Sequence, residues 1–277
     1  MQVVRTVAEM REVRRSQKGR VGFVATLGGI HVGHTTHMDI MRPLCDVMIG
    51  SLFLNPTQFS ESEDLSSYPA VEADDLAQFE AHGTDIVFAP SVDEMYPPGG
   101  IEQIEPGPIA NVLEGAHRPG HFDGVATVVN RLFDVVGPDI ASFGEKDAQQ
   151  LRIIEQLIVN QGFEIEVVRI PTVREADGLA VSSRNQYLSA DERRAACVLY
   201  RSMNAAKQEW RNGERSSENL KQLMTSVLDS EPLADTQYAT IVDPHSFNEV
   251  GIANPPVRAV LAVRIGKARL IDNMLFD

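Results

Sequence analysis

Only two cysteines occur in 277 residues, Cys45 and Cys197, far apart in sequence. They offer no disulfide framework, which fits a reducing, cytoplasmic setting. Positive charge is also scarce: 25 Lys and Arg stand against 39 Asp and Glu, a formal net charge of -14. That balance excludes nonspecific affinity for nucleic acid or an anionic membrane, so neither is expected as a partner. An anionic substrate must instead be gripped by a local group of Arg, Lys and backbone N–H donors. No apolar run is long enough to span a bilayer. Met1 to Arg15 is broken by Arg and Glu and lacks the apolar core of a signal peptide. The chain has no G-x-x-x-x-G-K-[ST] run, no G-x-G-x-x-G, no internal repeat and no low-complexity tract. What remains is a soluble globular chain, long enough for one large domain or two modest ones.

Apolar periodicity supplies the architecture. Strand-like runs fall at residues 21–26, 46–54, 85–89, 139–143 and 164–171, and helical stretches at 35–44, 73–82, 124–136 and 148–161. This alternation predicts an α/β domain, a Rossmann-like open parallel sheet with helices on both faces, over residues 1–185. Near residue 186 the texture changes. Ser189-Ala190-Asp191-Glu192 is a capping-box pattern that opens a long helix through Trp210. A second helix over 216–228 precedes strands at 237–242, 257–265 and 268–271. That order predicts a small α+β domain over 186–277, packed beside the first.

The richest stretch is Gly28-Gly29-Ile30-His31-Val32-Gly33-His34, after the apolar run 21–27 and before a helix. Strand, glycine turn and helix start suit a phosphate, because N–H groups and the positive end of the helix dipole meet there. His31 and His34 are spaced to share one helix face, where two imidazoles can steady developing phosphoryl charge. His37 extends the series to His-x-x-His-x-x-His, but successive side chains drift by about 60° and no nearby Cys or acid completes a zinc set.

Three further polar clusters fall after predicted strands, at the edge where open α/β sheets bind ligands. They are Asn55-Pro56-Thr57-Gln58-Phe59, then Gly144-Glu145-Lys146-Asp147 with Gln149 and Gln150, then Thr172 to Gly178 running into Ser182-Ser183-Arg184-Asn185. Each alone is ordinary loop composition. Together they supply amides, hydroxyls, a lysine and an arginine, the inventory for a nucleotide and a small carboxylate. With the commoner phosphate motifs absent, an adenylate-forming or nucleotidyl-transfer site fits best.

His31-Val32-Gly33-His34 and Ser182-Ser183-Arg184-Asn185 resemble the paired signatures of the class I nucleotidyltransferase superfamily. Longer strings resemble the pantothenate synthetase (pantoate–β-alanine ligase) family: Leu52 to Phe59, Arg118-Pro119-Gly120-His121-Phe122-Asp123-Gly124-Val125, Phe143 to Asp147, Arg174 to Ala180, and Ala268-Arg269-Leu270-Ile271-Asp272-Asn273. The resemblance implies that pantoate and ATP form pantoyl adenylate and pyrophosphate, and that β-alanine then releases AMP as pantothenate forms.

By matching position it also implies site residues. His31, His34, Lys146 and Arg184 would be catalytic, with His34 the proton donor. ATP would meet Leu27, Gly28, Gly29, His31, His34, Gly144, Glu145, Lys146, Asp147, Val173, Val181, Ser182, Ser183 and Arg184. Pantoate would meet Gln58, Gln150 and Asn55, and β-alanine Gln58, Arg118 and His121. Mg²⁺ would accompany ATP, with Asp74, Asp75 and Gln78 matching a metal-contacting cluster. A homodimer through the N-terminal domain is implied as well. The polar segment 60–67 and the C-terminal domain are candidate covers over the adenylate. Family members usually carry Pro and Met at Ala25 and Leu27, Arg at Ala70 and an aromatic at Ala148, and a less polar helix at Thr35 and Thr36. The alternative reading is therefore a related adenylate-forming ligase for another small hydroxy acid and amine.

Overall fold

A computed structural model describes residues 1–59 and 71–277. The chain packs as two compact units. The first comprises Met1–Asn111, Gly115–Glu145 and Gln150–Pro171. The second comprises Val112–Glu114, Lys146–Gln149 and Thr172–Asp277. The changeover at Pro171 and Thr172 lies ahead of the textural boundary at 185 and 186, and two short segments of the N-terminal half pack with the second unit.

The first unit follows the order β1 (Gln2–Val4), α1 (Val7–Ser16), β2 (Val21–Thr26), α2 (Val32–Met41), β3 (Val47–Leu52), α3 (Glu72–Ala81), β4 (Ile86–Phe88) and α4 (Val92–Met95). It continues through α5 (Glu114–His117), α6 (His121–Val136), β5 (Ile140–Gly144), α7 (Ala148–Gln161) and β6 (Glu166–Ile170). The six strands form one sheet in the order β1-β4-β3-β2-β5-β6, with every pairing parallel. β2 is central, and five of its six residues are buried. Alternation along the strands feeds two cores. Val21, Phe23, Ile49, Phe88 and Phe143 pack with Met10, Phe133 and Ile154. Val24, Met48, Val87 and Ile140 turn the other way, to Met38, Met41 and Phe79. Helices thus cover both faces, as expected of a doubly wound sheet.

From β2 the order runs outward through β3 and β4 on one side and through β5 and β6 on the other. The reversal puts the carboxyl ends of β2 and β5 side by side, the topological switch point where such sheets bind ligands.

In the second unit, α8 (Ala190–Ala195), α9 (Val198–Arg211) and α10 (Ser217–Asp229) precede β7 (Ala234–Val242), β8 (Val257–Ile265) and β9 (Ala268–Phe276). The three strands form an antiparallel sheet in sequence order. Its apolar face carries Ile241, Leu261, Val263, Leu270 and Phe276 against Leu199, Met203, Trp210, Leu220 and Met224. The capping box is present: Ser189 accepts from the Glu192 N–H, and the Glu192 carboxylate takes the Ser189 N–H at 2.8 Å.

Several elements differ from the periodicity reading. The short edge strand β1 was absent from it, because three residues carry no period. The long helix expected from 189 to 210 is two helices. Cys197 N–H reaches back to Arg194 O at 3.4 Å and Leu199 N–H to Ala196 O at 3.2 Å, a tightened i→i−3 turn. β9 runs on to Phe276, beyond the expected end at 271, because Asp272 and Asn273 are buried with partners. Among the described residues no helix is long and apolar enough to cross a membrane.

Candidate active site

The glycine loop after β2 has an unexpected anchor. Gly28 and Gly29 adopt φ of 97° and 65°, conformations that side chains beyond glycine resist. The N–H groups of Gly29 and Ile30 then point at one carboxylate, Asp75 on α3, at 3.0 and 2.7 Å. Asp75 is 3% exposed. The sequence suggested that these N–H groups would face a phosphate; the structure gives them to Asp75. Asp74 and Gln78, the neighbours of Asp75 in the implied metal cluster, are exposed on α3. Among the described residues no group of three His, Cys, Asp or Glu side chains converges as a metal cage.

His31 and His34 are built into the start of α2. His31 is its extended N-cap and His34 its third residue, and each imidazole caps the other's backbone. The Gly33 N–H donates to His31 Nδ1 at 3.1 Å, and the His31 N–H to His34 Nδ1 at 3.3 Å. An Nδ1 that accepts carries no proton, so in the neutral ring the proton sits on Nε2. The rings stack with centroids 4.1 Å apart. Both histidines are therefore held as Nε2–H donors by the backbone itself. His37, one turn on, meets Ser142 Oγ of β5 at 3.0 Å through Nδ1, tying α2 to the neighbouring strand at the switch point. Thr35 and Thr36 direct their hydroxyls back to Val32 O at 3.3 and 2.7 Å, so their polarity is absorbed by the first turn of α2.

After β3 a second cluster gathers around Gln58. Asn55 is fully buried. Its amide donates to Gln58 Oε1 at 3.1 Å and to Gly124 O at 3.2 Å, while its Oδ1 takes the Tyr96 hydroxyl at 2.7 Å and the Thr57 N–H at 3.3 Å. Asn55 thus orients Gln58, whose Oε1 accepts from the Asn55 amide. Burial pushes the Tyr96 phenol above its ordinary pKa, so it stays a donor. Gln58 is also held by its main chain: His121 Nδ1 lies 2.8 Å and Arg118 Nη2 3.5 Å from its carbonyl oxygen. A carbonyl only accepts, so His121 Nδ1 carries the proton and Nε2 takes the Arg118 N–H at 2.9 Å. The fit needs glycine at 124, where a Cβ would lie 2.5 Å from Thr57 O and 2.8 Å from Gln58 N. Sequence reasoning missed Tyr96, whose lone place in the chain carries no motif.

Gly144 closes β5, and Gln150 lies half-buried on α7. Residues 60–67 and Ala70 lie outside the described residues. Glu145 ends a segment of the first unit, and the second unit holds the expected ATP contacts from Lys146 onward. Glu145–Asp147 form a 3-10 turn in which Lys146 Nζ lies 3.5 Å from Asp147 Oδ1. Val173 O accepts from Val181 N–H at 2.9 Å, closing a hairpin. Ser182 Oγ caps the 3-10 helix Ser183–Tyr187 through the Arg184 N–H at 3.3 Å. The half-buried Arg184 guanidinium has no hydrogen bond or ion pair among the described residues, whereas Arg193 is fixed to Asp177 and Glu175. The N-terminal unit therefore brings together the two histidines, Asp75 and the Gln58 cluster at the carboxyl edge of one sheet. The second unit gathers Lys146, Val173, Val181, Ser182, Ser183 and Arg184.

This chemistry agrees with what the chain resembles. The profile of the family described as Pantoate-beta-alanine ligase matches residues 2–275. The pantothenate synthetase of Herpetosiphon aurantiacus is 50% identical over 99% of this chain and 100% of its own. That of Roseiflexus castenholzii is 47% identical over the whole of both. The crystal structure of pantothenate synthetase from Thermus thermophilus superposes with a TM-score of 0.93, at 43% identity and 99% coverage of each chain. The Francisella tularensis pantoate-beta-alanine ligase, complexed with beta-gamma ATP and beta-alanine, gives 0.81 at 33% identity, over 100% of this chain and 98% of that one. This chain belongs to the pantoate–β-alanine ligase family.

Proposed function

We propose that the chain condenses pantoate with β-alanine through pantoyl adenylate, and that the mutual capping of His31 and His34 carries this chemistry. A pantoate carboxylate oxygen attacks the α-phosphorus of ATP as the bond to the bridging oxygen of pyrophosphate breaks. The β-alanine nitrogen then attacks the acyl carbon, AMP leaves with the acyl C–O electron pair, and the nitrogen releases its proton to solvent. Activation turns a poor leaving group into AMP, and water must be kept out until the amine arrives.

The residue roles are those that the resemblance implies, and the chemistry of each side chain supports its role. Two Nε2–H donors fixed by backbone bonds suit phosphoryl oxygens that gain charge, and a preorganised donor needs no rearrangement at the transition state. His34 is the proton donor in this scheme in the hydrogen-bonding sense: its Nε2–H is shared with a phosphoryl oxygen as charge develops and stays on the ring. Lys146 acts as a point charge and Arg184 as a two-pronged donor to phosphate. Gln58 and Gln150 take pantoate, with Asn55 as the residue that aims Gln58. Arg118 and His121 stand on the β-alanine side. ATP enters as its Mg²⁺ complex. Asp75 already accepts two N–H groups, which favours a metal carried by the triphosphate and water over one caged by Asp74, Asp75 and Gln78. Closure by the C-terminal domain over the intermediate, a homodimer and a cytoplasmic setting belong to the same proposal.

Incubation with ATP, Mg²⁺, pantoate and β-alanine should yield pantothenate and AMP. Pyrophosphate exchange into ATP that requires another hydroxy acid and ignores pantoate would overturn the substrate assignment. His34→Ala should lower turnover far more than ATP affinity; equal losses would leave His34 a binding residue only.

A further inference from the structure

The C-terminal string Ala268 to Asn273 has no part in the chemistry above, yet two of its polar residues are buried in the middle of a strand. Asp272 is 3% and Asn273 7% exposed. Neighbours on a strand face opposite ways, so the two must satisfy different partners. Pairing with Leu261 puts Asp272 on the apolar, helix-covered face of the sheet. It survives there by a two-pronged ion pair with Arg174, at 2.6 and 2.9 Å, whose guanidinium also lies 4.8 Å from the Tyr200 ring centroid.

Asn273 faces the other side. Its Oδ1 accepts from Arg258, its diagonal neighbour across β8, and its Nδ2 donates to the main-chain carbonyl of Lys146 at 2.8 Å. The same face anchors a second segment: Arg269 grips the Glu114 carboxylate, at 2.8 Å for one of its two prongs. That segment is linked to the Lys146 turn, because Gln149 accepts from the Glu114 N–H at 3.2 Å and donates to Val112 O at 2.9 Å. The Lys146–Gln149 segment is thus held at both ends, by Asn273 at its start and by Gln149 at its finish.

We propose that the polar face of the C-terminal sheet is the mount of Lys146, with Asn273 as its positioning residue. The inference rests on the ATP-facing role assigned to Lys146. A lysine stem has four rotatable carbons, so its ammonium is placed only as well as its backbone. A short 3-10 turn has few bonds of its own to supply that precision. The bond from Asn273 fixes the carbonyl of the very residue whose side chain must find a phosphate. Because Asn273 is itself tied to Arg258, the hold is set by the strands and is independent of bound nucleotide.

Asn273→Asp separates these contacts: a carboxylate still accepts from Arg258 but cannot donate to Lys146 O. Pantoate-dependent pyrophosphate exchange should fall about tenfold, with the melting temperature close to that of the parent. In a Lys146→Ala background the same substitution should cost less than about twofold, since there is no ammonium left to place. A full tenfold loss in that background, or no loss in the parent, refutes the mount. Hydrogen exchange of the peptide covering 145–149 should be faster in Asn273→Asp and in Asn273→Ala; unchanged protection in both also refutes it. This second measurement needs no turnover. A parent chain inactive toward every acid would sink the proposed function while leaving the mount decided by exchange.

Discussion

Replacing Asp75 removes the shared acceptor of two N–H groups in a loop that glycine alone leaves floppy. Hydrogen bonds to a charged group contribute about 1.5–3 kcal/mol each. Gly29 and Ile30 are half-buried, so the lower end applies, about 3 kcal/mol for the pair in Asp75→Ala. Asp75→Asn keeps one acceptor and turns an NH₂ toward the other N–H, a loss of about 2 kcal/mol. Every 1.36 kcal/mol is a factor of ten in rate, so exchange at low ATP should fall about 100-fold in the alanine variant and about 30-fold in asparagine. The loss should appear as weaker ATP use, because the loop leads directly into the His31 cap. The assay is pantoate-dependent pyrophosphate exchange, first against ATP at saturating Mg²⁺ and then against Mg²⁺ at fixed ATP. A loop anchor predicts an unchanged Mg²⁺ requirement. Restoration of Asp75→Asn to the parental rate by Mg²⁺ alone would refute the anchor and make Asp75 a metal ligand; a loss under twofold would refute any role for its charge.

Gly124→Ala drives a Cβ into Thr57 O at 2.5 Å, so the Gln58 backbone must shift at a cost of about 1–3 kcal/mol. The KM for pantoate should rise several-fold, and an unaltered KM and melting temperature would show that the contact is soft. Arg184→Lys should leave stability within about 0.5 kcal/mol, since no partner among the described residues is lost, while exchange falls at least about tenfold with the loss of the fork. Equal damage to stability and activity would contradict that separation. The hydrogen bonds from Arg193, at 2.8 and 3.1 Å, hold the Asp177 carboxyl far below its usual pKa of 3.8. A lowered folded-state pKa contributes stability that is present above the ordinary value and lost as pH falls through the lowered one. Thermal melts from about pH 4.5 to about pH 2 should therefore drop less steeply in Arg193→Ala than in the parent, and identical slopes would count against the pair.

Much of the fold was legible because its causes are local. Alternating apolar runs separated by helical periods gave the parallel sheet, and Ser189 with Glu192 gave the start of α8. Where the reading stopped short, the cause was distant in sequence. Asp272 and Asn273 look like the end of a strand until Arg174, 98 residues away, and Lys146, 127 residues away, supply their partners. β1 is a strand only because β4 lies beside it. The break before Cys197 carries no glycine or proline to announce it.

The site divides along the same line. The sequence alone marked the glycine loop, both histidines, Lys146 and Arg184 as candidates, by their place after predicted strands and by the family strings they belong to. It also set the family through strings such as Arg118 to Val125. Which of their atoms are engaged within the protein was decided by the tertiary structure. Only packing shows that Asp75 occupies the loop N–H groups, that each histidine is locked as an Nε2–H donor, and that Asn55 serves Gln58. A motif specifies what groups are available; which of their lone pairs and protons are already engaged depends on neighbours brought in from other strands and helices.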